Sequence, residues 1–150
     1  MSDAKRLCTF HLADLFLGVD VLEVQEVLRD PPMTRVPLAD EPIRGLINLR
    51  GDIVTAVDLR RRFGFEPAEG IEDPMNVVVR IDEGGAVALL VDSIGEVLEV
   101  DSASFEPPPP TLKANLRGLV SGVHKLDGEL LLVLDTAWAI HGRPPVTLAP

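Results

Sequence analysis

Apolar residues run through this chain in short stretches that stop at polar, Gly-bearing or Pro-bearing breaks, a pattern suited to β-strands rather than long helices. Stretches 7–12 and 15–19 flank Ala13-Asp14 and predict a first hairpin. The most informative stretch is Ile43-Arg44-Gly45-Leu46-Ile47-Asn48-Leu49-Arg50-Gly51-Asp52-Ile53-Val54-Thr55-Ala56-Val57-Asp58-Leu59. Its two apolar segments, 46–49 and 53–57, meet at Arg50-Gly51-Asp52, which predicts a hairpin with a solvated tip. Gly51 can take the positive φ such a turn needs. Stretches 76–81 and 86–91 surround Asp82-Glu83-Gly84-Gly85, another hairpin signal, and 97–100 continues the sheet. Stretches 116–123 and 129–134 predict the last hairpin. About ten short strands separated by turn signals make an all-β chain.

Helical spacing is confined to a few places. Val21, Val24 and Leu28 predict a short helix or irregular turn over 21–28, ended by Pro31-Pro32. Arg60-Arg61-Arg62-Phe63-Gly64 predicts a helical turn stopped by Gly64, with its arginines on a solvated, self-neutralising face. Residues 136–140 predict a terminal helical turn. Residues 1–6 are polar and expected to fray, 34–37 read as extended, and 66–74 read as a linker rich in Gly, Pro and acids.

The pattern occurs twice. Leu116-Arg117-Gly118-Leu119-Val120 repeats Ile43-Arg44-Gly45-Leu46-Ile47, and Gly128 to Asp135 repeats Gly51 to Asp58. Val19-Asp20 followed by Glu26-Val27-Leu28 is echoed by Val91-Asp92 followed by Glu96-Val97-Leu98. The offset drifts from 70 residues at Glu26 and Glu96 to 77 at Gly51 and Gly128. So long a period describes a duplicated half-domain rather than a solenoid unit. Two small barrels that close their own edges fit the duplication.

Composition narrows the function classes. The 150 residues are 46% apolar and 25% charged, as in soluble globular proteins. A net charge of −10 argues against a nucleic-acid surface, which needs clustered Lys and Arg, and against an anionic membrane surface. The single cysteine, Cys8, excludes an internal disulfide and a cysteine-based zinc site, and its apolar setting predicts an inert buried thiol. No apolar run approaches the roughly 18 residues of a membrane span, and no leader-like segment opens the chain, so a cytosolic location is expected.

Little in the sequence suggests catalysis. His11, His124 and His141 are scattered without metal-ligand spacing, tyrosine is absent, and there is no phosphate loop or nucleophile elbow, so neither metal nor cofactor is expected. Asp58 and Asp135 end equivalent strands of the repeat, and paired aspartates between two lobes would suggest an aspartic-type hydrolase. That chemistry needs an Asp-Thr/Ser-Gly turn in both lobes. Asp58-Leu59-Arg60 and Asp135-Thr136-Ala137 lack it, so the expected role of both carboxylates is to cap the helical turns that follow. Pro107-Pro108-Pro109-Pro110 is a stiff polyproline segment, read as a rigid connector on the surface ahead of a ligand for an aromatic groove.

Taken together, Val24-Gln25-Glu26-Val27, Thr34-Arg35-Val36-Pro37, the Asn48-Leu49-Arg50-Gly51 core with its flanks, and Ile53 to Arg60 resemble the CheW family of bacterial chemotaxis coupling proteins. The echo continues in Val91 to Leu98 and Leu116 to Leu119, so the resemblance covers residues 10–140. It implies two SH3-like five-stranded β-barrel subdomains sharing a core, with short helical turns, in one domain over 1–150. The halves would fall at roughly 15–70 and 80–140, with strand exchange possible at the ends. It implies no catalysis. Such proteins couple transmembrane chemoreceptors to a histidine autokinase. They grip the receptor's cytoplasmic hairpin tip in a groove at the junction of the barrels, and they pair with the regulatory domain of a CheA-like kinase in membrane-associated arrays.

Carried over to this chain, the family's receptor-contact positions are Val24, Glu26 and Arg50, with Asn48 and Gly51 shaping the turn. Arg50 would offer planar donors to a carboxylate, Val24 apolar area, and Glu26 discrimination or a pair with a basic group. The competing reading for Arg50 is a structural ion pair with a nearby acid such as Asp52. Kinase docking in the family uses barrel ends that include the loop holding Glu106, Pro107, Pro108, Pro109 and Pro110. Here Glu106 and the prolines replace a basic, aromatic-bearing segment, and Phe16-Leu17-Gly18-Val19-Asp20 lacks the usual aromatic before Gly-Ile-Asp. Those departures keep open a second reading, a CheW-like regulatory module for another histidine-kinase pathway such as pilus motility.

Overall fold

The computed structural model describes residues 4–29, 31–39, 42–66, 74–81 and 85–141. Most of the expected 66–74 linker and the Asp82-Glu83-Gly84 turn lie outside them. The alternating first stretches form β1 (Ala4–Leu12) and β2 (Leu15–Asp20), joined through Ala13 at φ 53°. The Asp20 carboxylate accepts the Leu22 amide and starts a single 3-10 turn at Val21–Glu23, after which β3 (Val24–Arg29) begins. β4 (Ile43–Leu49) and β5 (Asp52–Asp58) are the central hairpin, followed by α1 (Leu59–Phe63). Gly64, at φ 82°, ends α1 as its amide and that of Phe65 bond back to Arg61 and Arg60. Then come β6 (Met75–Arg80), β7 (Ala86–Val91), β8 (Ser93–Asp101) and the two-residue β9 (Phe105–Glu106). α2 (Ala114–Arg117), β10 (Val120–Leu126), β11 (Glu129–Leu134) and α3 (Thr136–His141) complete the described chain.

These strands form two sheets. One has the order β8-β1-β2-β11-β10-β9, the other β3-β6-β7-β5-β4. In each, two antiparallel hairpins are joined by a parallel pair, β2 with β11 and β5 with β7. Matching β1 to β6, β2 to β7, β3 to β8, β4 to β10 and β5 to β11 converts one order into the other, with the short edge strand β9 left over. The internal repeat of the sequence is thus a repeat of topology, and each sheet draws strands from both copies.

Strand alternation sorts the side chains into three cores. Phe10, Leu12, Leu17, Val19, Leu132 and Leu134 of one sheet meet Val57, Val77, Val79, Val87, Leu89 and Val91 of the other in a shared centre. The intervening residues face the opposite way. Ile47, Val54, Ala56, Val78 and Ala88 make a small core inside the five-stranded sheet, and Leu7, Val100 and Leu131 make one inside the six-stranded sheet. A sheet that buries both faces, one against its neighbour and one against itself, is the physical content of two barrel subdomains around a common centre. Cys8 is buried at that centre, where burial pushes its thiol up from the ordinary value.

Four local expectations need correction. Residues 24–29 form a strand, not a helix: exposed and half-buried residues alternate along them, and pairing with β6 overrides the helical spacing of Val21, Val24 and Leu28. Residues 4–6 are not frayed, because they pair with Glu99 to Asp101 of β8. β8 does not simply extend β7 within its sheet; it crosses to the edge of the other one. Leu116 lies in α2, so the last hairpin starts only at Val120.

A close approach makes Gly122 necessary. A Cβ there would collide with the Phe105 ring and sit 2.6 Å from the Glu106 carbonyl oxygen, where β9 crosses β10. Gly122→Ala is expected to cost about 2–3 kcal/mol and to unseat β9. Urea denaturation gives the first, and faster amide hydrogen exchange at Phe105 and Glu106 the second.

Candidate functional site

The β4–β5 turn is a two-residue loop in which Arg50 (φ 53°) and Gly51 (φ 92°) both take left-handed conformations, since Leu49 pairs directly with Asp52. This is the geometry of a type I′ hairpin, where Asn-Gly is the usual pair. A side chain as long as arginine accepts a cost of about 1–2 kcal/mol to sit there. Asn48 steadies the turn, its Oδ1 accepting the Gly51 amide at 3.0 Å. The turn holds Arg50 over β3, where its two terminal nitrogens reach Glu26 at 2.7 and 3.4 Å. The Arg50 side chain stays 74% exposed while that of Glu26 is only 20% exposed, so the guanidinium covers the carboxylate and still faces water.

Val24, two residues before Glu26, is half-buried against the shared core, with a bulge between the two positions. Arg80 holds the start of β3 by donating to the Leu22 and Val24 carbonyls at 3.1 and 3.4 Å. The structure therefore gathers Glu26, Asn48, Arg50 and Gly51 around one turn, with Val24 on the adjoining strand. The acid that pairs with Arg50 is Glu26, across the sheet surface, and not the neighbouring Asp52.

Two apolar residues beside this surface escaped the sequence reading. Ile53 pairs across the ladder with Asn48 and is 64% exposed. Leu22, on the 3-10 turn before Val24, is 79% exposed. The signal for Ile53 was its phase: Val54 and Ala56 face the small core, so Ile53 and Thr55 face out. Exposed aliphatics next to an oriented guanidinium suit a protein partner rather than a reaction.

The second group of candidate residues lies in the other sheet. Glu106 ends β9, pairs with Val123 of β10 and contacts Lys125 Nζ at 3.3 Å. Pro107 and Pro110 are exposed, Pro108 and Pro109 half-buried, and the Pro109 carbonyl accepts the Leu112 amide to turn the chain. These five residues stand apart from the Arg50 turn. Nearby, a cavity of about 310 Å³ between β1, β10 and β11 is lined by Asp20, Glu23, His124 and Asp135 among others. Burial, then the neighbouring Asp20 charge, pushes the Glu23 carboxyl up. Burial, then Lys5, pushes the His124 imidazole down, and Ser104 Oγ lies 2.8 Å from its Nδ1.

Asp58 and Asp135 are occupied as helix caps. Asp58 accepts the Arg60 amide at 3.0 Å and Asp135 the Trp138 amide at 3.2 Å. Of the arginine row Arg61 is exposed, 4.0 Å from the Asp58 carboxylate, so the expected self-neutralising face holds there, but Arg60 and Arg62 turn inward. Arg60 grips Asp92, and Arg62 donates to the Ala139 and Ile140 carbonyls at 2.7 and 3.0 Å. No cluster of His, Cys, Asp or Glu suited to a metal ion occurs among the described residues, and no helix among them is long and apolar enough to cross a membrane.

The family model for the CheW-like domain matches residues 6–141. The chain belongs to the CheW family. It is 28% identical over 131 residues to the chemotaxis protein CheW of Rhizobium meliloti, covering 87% of this chain and 84% of that protein. It is 30% identical over 126 residues to the chemotaxis protein CheW of Klebsiella aerogenes, covering 84% and 75%. The crystal structure of the scaffolding protein TtCheW from Thermoanaerobacter tengcongensis superposes with a TM-score of 0.82 at 33% identity, over 97% of this chain and 99% of that one. This CheW-family chain is accordingly an all-β scaffold protein of bacterial chemotaxis, with the two-subdomain architecture described above. The Arg50 turn is a surface feature of that scaffold.

Proposed function

We propose that this chain is a non-catalytic cytoplasmic adaptor that couples chemoreceptors to a histidine kinase, recruited to receptor arrays at the membrane. The receptor's cytoplasmic hairpin tip docks on Val24, Glu26 and Arg50, with Asn48 and Gly51 fixing the turn. The regulatory domain of the kinase docks on the other subdomain, around Glu106 and Pro107-Pro108-Pro109-Pro110. The observation that carries the reading is Arg50 itself: an exposed guanidinium in a strained conformation, oriented by a half-covered carboxylate and flanked by Ile53. A side chain held at a cost, in water, with an apolar neighbour, is built to meet something.

Two different docking ends let one adaptor hold two partners at once and extend an array by heterologous contacts. Signal then passes as coupling between two binding equilibria, about 1–3 kcal/mol in typical systems. The test is co-sedimentation of a chemoreceptor cytoplasmic fragment with a kinase regulatory domain, with and without this chain. The kinase domain should pellet with the receptor only when the chain is present. Binding to the kinase domain with no association to any receptor fragment would overturn the reading in favour of a regulatory module for another kinase pathway.

A further inference from the structure

The cavity of about 310 Å³ between β1, β10 and β11 collects hydrogen-bond acceptors. His124 is the most buried polar residue in its wall, at 2% exposure. Ser104 donates its one hydroxyl proton to the Asp101 carbonyl at 2.7 Å, so toward His124 its oxygen can only accept, and Nδ1 carries the imidazole proton. The ring is held neutral, which leaves Nε2 with a bare lone pair. Nε2 has no partner among the described residues and is not sealed inside the protein, so it opens on the cavity that its ring lines. The hydroxyls of the wall are spent in the same way: Ser121 donates to the Val133 carbonyl at 3.3 Å and Thr136 to Glu23 at 3.5 Å. Lys5 Nζ lies 4.0 Å from the Asp20 carboxylate, and those two charges offset each other. Glu23 and Asp135, both half-buried in the same wall, form no ion pair among the described residues.

We infer that this cavity binds a short aliphatic diamine. With every side-chain proton of the wall but those of Lys5 committed, a ligand has to bring the donors, and a buried lone pair left without one costs stability. Two carboxylates without a partner call for two positive charges. The Glu23 carboxyl is pushed up by burial and then by Asp20, the condition of an acid short of a counter-charge. The acceptors do not converge as a metal ion requires, so the two charges belong at the ends of a chain rather than on one centre. Leu7, Phe105, Val133 and Leu134 supply apolar wall for the methylenes between them. The volume lies at the low end of small-molecule sites, which keeps that chain short. The site is independent of the adaptor reading: it uses none of the residues assigned to receptor or kinase.

Titration calorimetry with putrescine, n-butylamine and butanediol tests it, at about 0.15 M salt so that general attraction to an acidic chain is screened. Putrescine should bind, n-butylamine at least about tenfold more weakly, and butanediol without measurable heat, because only the first brings donors and charge to both ends. Glu23→Gln, which keeps the shape of the wall and removes one charge, should weaken putrescine at least about tenfold. His124→Phe, which keeps a ring and removes the acceptor, should do the same. The nitrogen chemical shifts of the His124 ring in the wild-type protein read the site without any substitution. They should show Nδ1 protonated and Nε2 bare at neutral pH, with the Nε2 signal alone moving strongly when putrescine is added. A proton on Nε2 in the free protein, an Nε2 signal that putrescine leaves in place, or no heat from putrescine at about 10 mM overturns the assignment. So does equal affinity of the wild type and a folded His124→Phe, the mark of attraction to acidic surface in general.

Discussion

Asp92→Ala is expected to destabilise the fold by about 3 kcal/mol, the scale of a broken buried ion pair. Asp92 sits between β7 and β8, and the Arg60 Nε and Nη2 nitrogens of α1 reach its two oxygens at 2.7 and 2.5 Å. The same carboxylate accepts the Ala13 amide at 2.7 Å, while the Asp92 amide donates to the His11 carbonyl. One residue therefore ties the β1–β2 turn of the six-stranded sheet to the helix that follows β5 of the five-stranded one. The side chains of Arg60 and Asp92 are only 17% and 13% exposed, so solvent cannot take over the pair. Without Asp92, Arg60 keeps the Glu66 carbonyl at 3.2 Å, which holds the loss near the lower end of the range. Urea denaturation at neutral pH measures it.

The pair also has a pH signature. Burial alone would push the Asp92 carboxyl up, but the Arg60 guanidinium and the Ala13 amide together hold it below the usual carboxylate range. A carboxyl whose pKa is lowered on folding stabilises fully above its unfolded value and loses that contribution as pH falls through the folded one. The stability gap between wild type and Asp92→Asn should thus be full at pH 7 and shrink below about pH 4. His124, buried and held neutral, loses stability in the same direction on acidification, but starting nearer its ordinary value of about 6.5. The His124 contribution is common to both proteins and cancels in the gap.

How far the sequence could be read depended on whether a contact was local. The Arg50-Gly51 turn, the Gly64 stop and the Asp58 and Asp135 caps are settled by residues within a few positions of one another, and each was legible. So was the duplication, because matched blocks keep their order. The strand at 24–29 was misread because Val21, Val24 and Leu28 fit a helix equally well, and only the distant β6 decides. The expected solvation of Arg60 and Arg62 failed for the same reason, while Arg61 is exposed as expected. A guanidinium is solvated by default, and nothing near Arg60 or Arg62 in sequence announces Asp92 or the end of α3 as its partner. Glu26 and Arg50 were both named through the family resemblance, yet their bond spans 24 residues and two strands that are not neighbours in the sheet.

Arg50→Glu is expected to leave folding intact and to weaken receptor binding by about 100-fold or more, as loss of a charged anchor does at a binding centre. The folding half of the expectation follows from exposure. The turn conformation is as costly for glutamate as for arginine, and the lost bond to Glu26 lies where water and salt screen it, so stability should change by about 0.5 kcal/mol or less. The binding half follows from the proposed contact, in which the substitution would set a like charge, in place of a donor fork, opposite a receptor carboxylate. Two causes of lost binding have to be separated: direct loss of the contact, and disorder of the turn once Glu26 is left alone. Arg50→Glu combined with Glu26→Arg restores the pair with its polarity reversed and so removes the second cause. That double variant should melt like the wild type, still bind the kinase regulatory domain, and still fail to bind the receptor fragment. If it binds the receptor as the wild type does, the pair serves only to brace β3 against the turn, and the receptor contact must be sought elsewhere on the surface, beginning with Ile53.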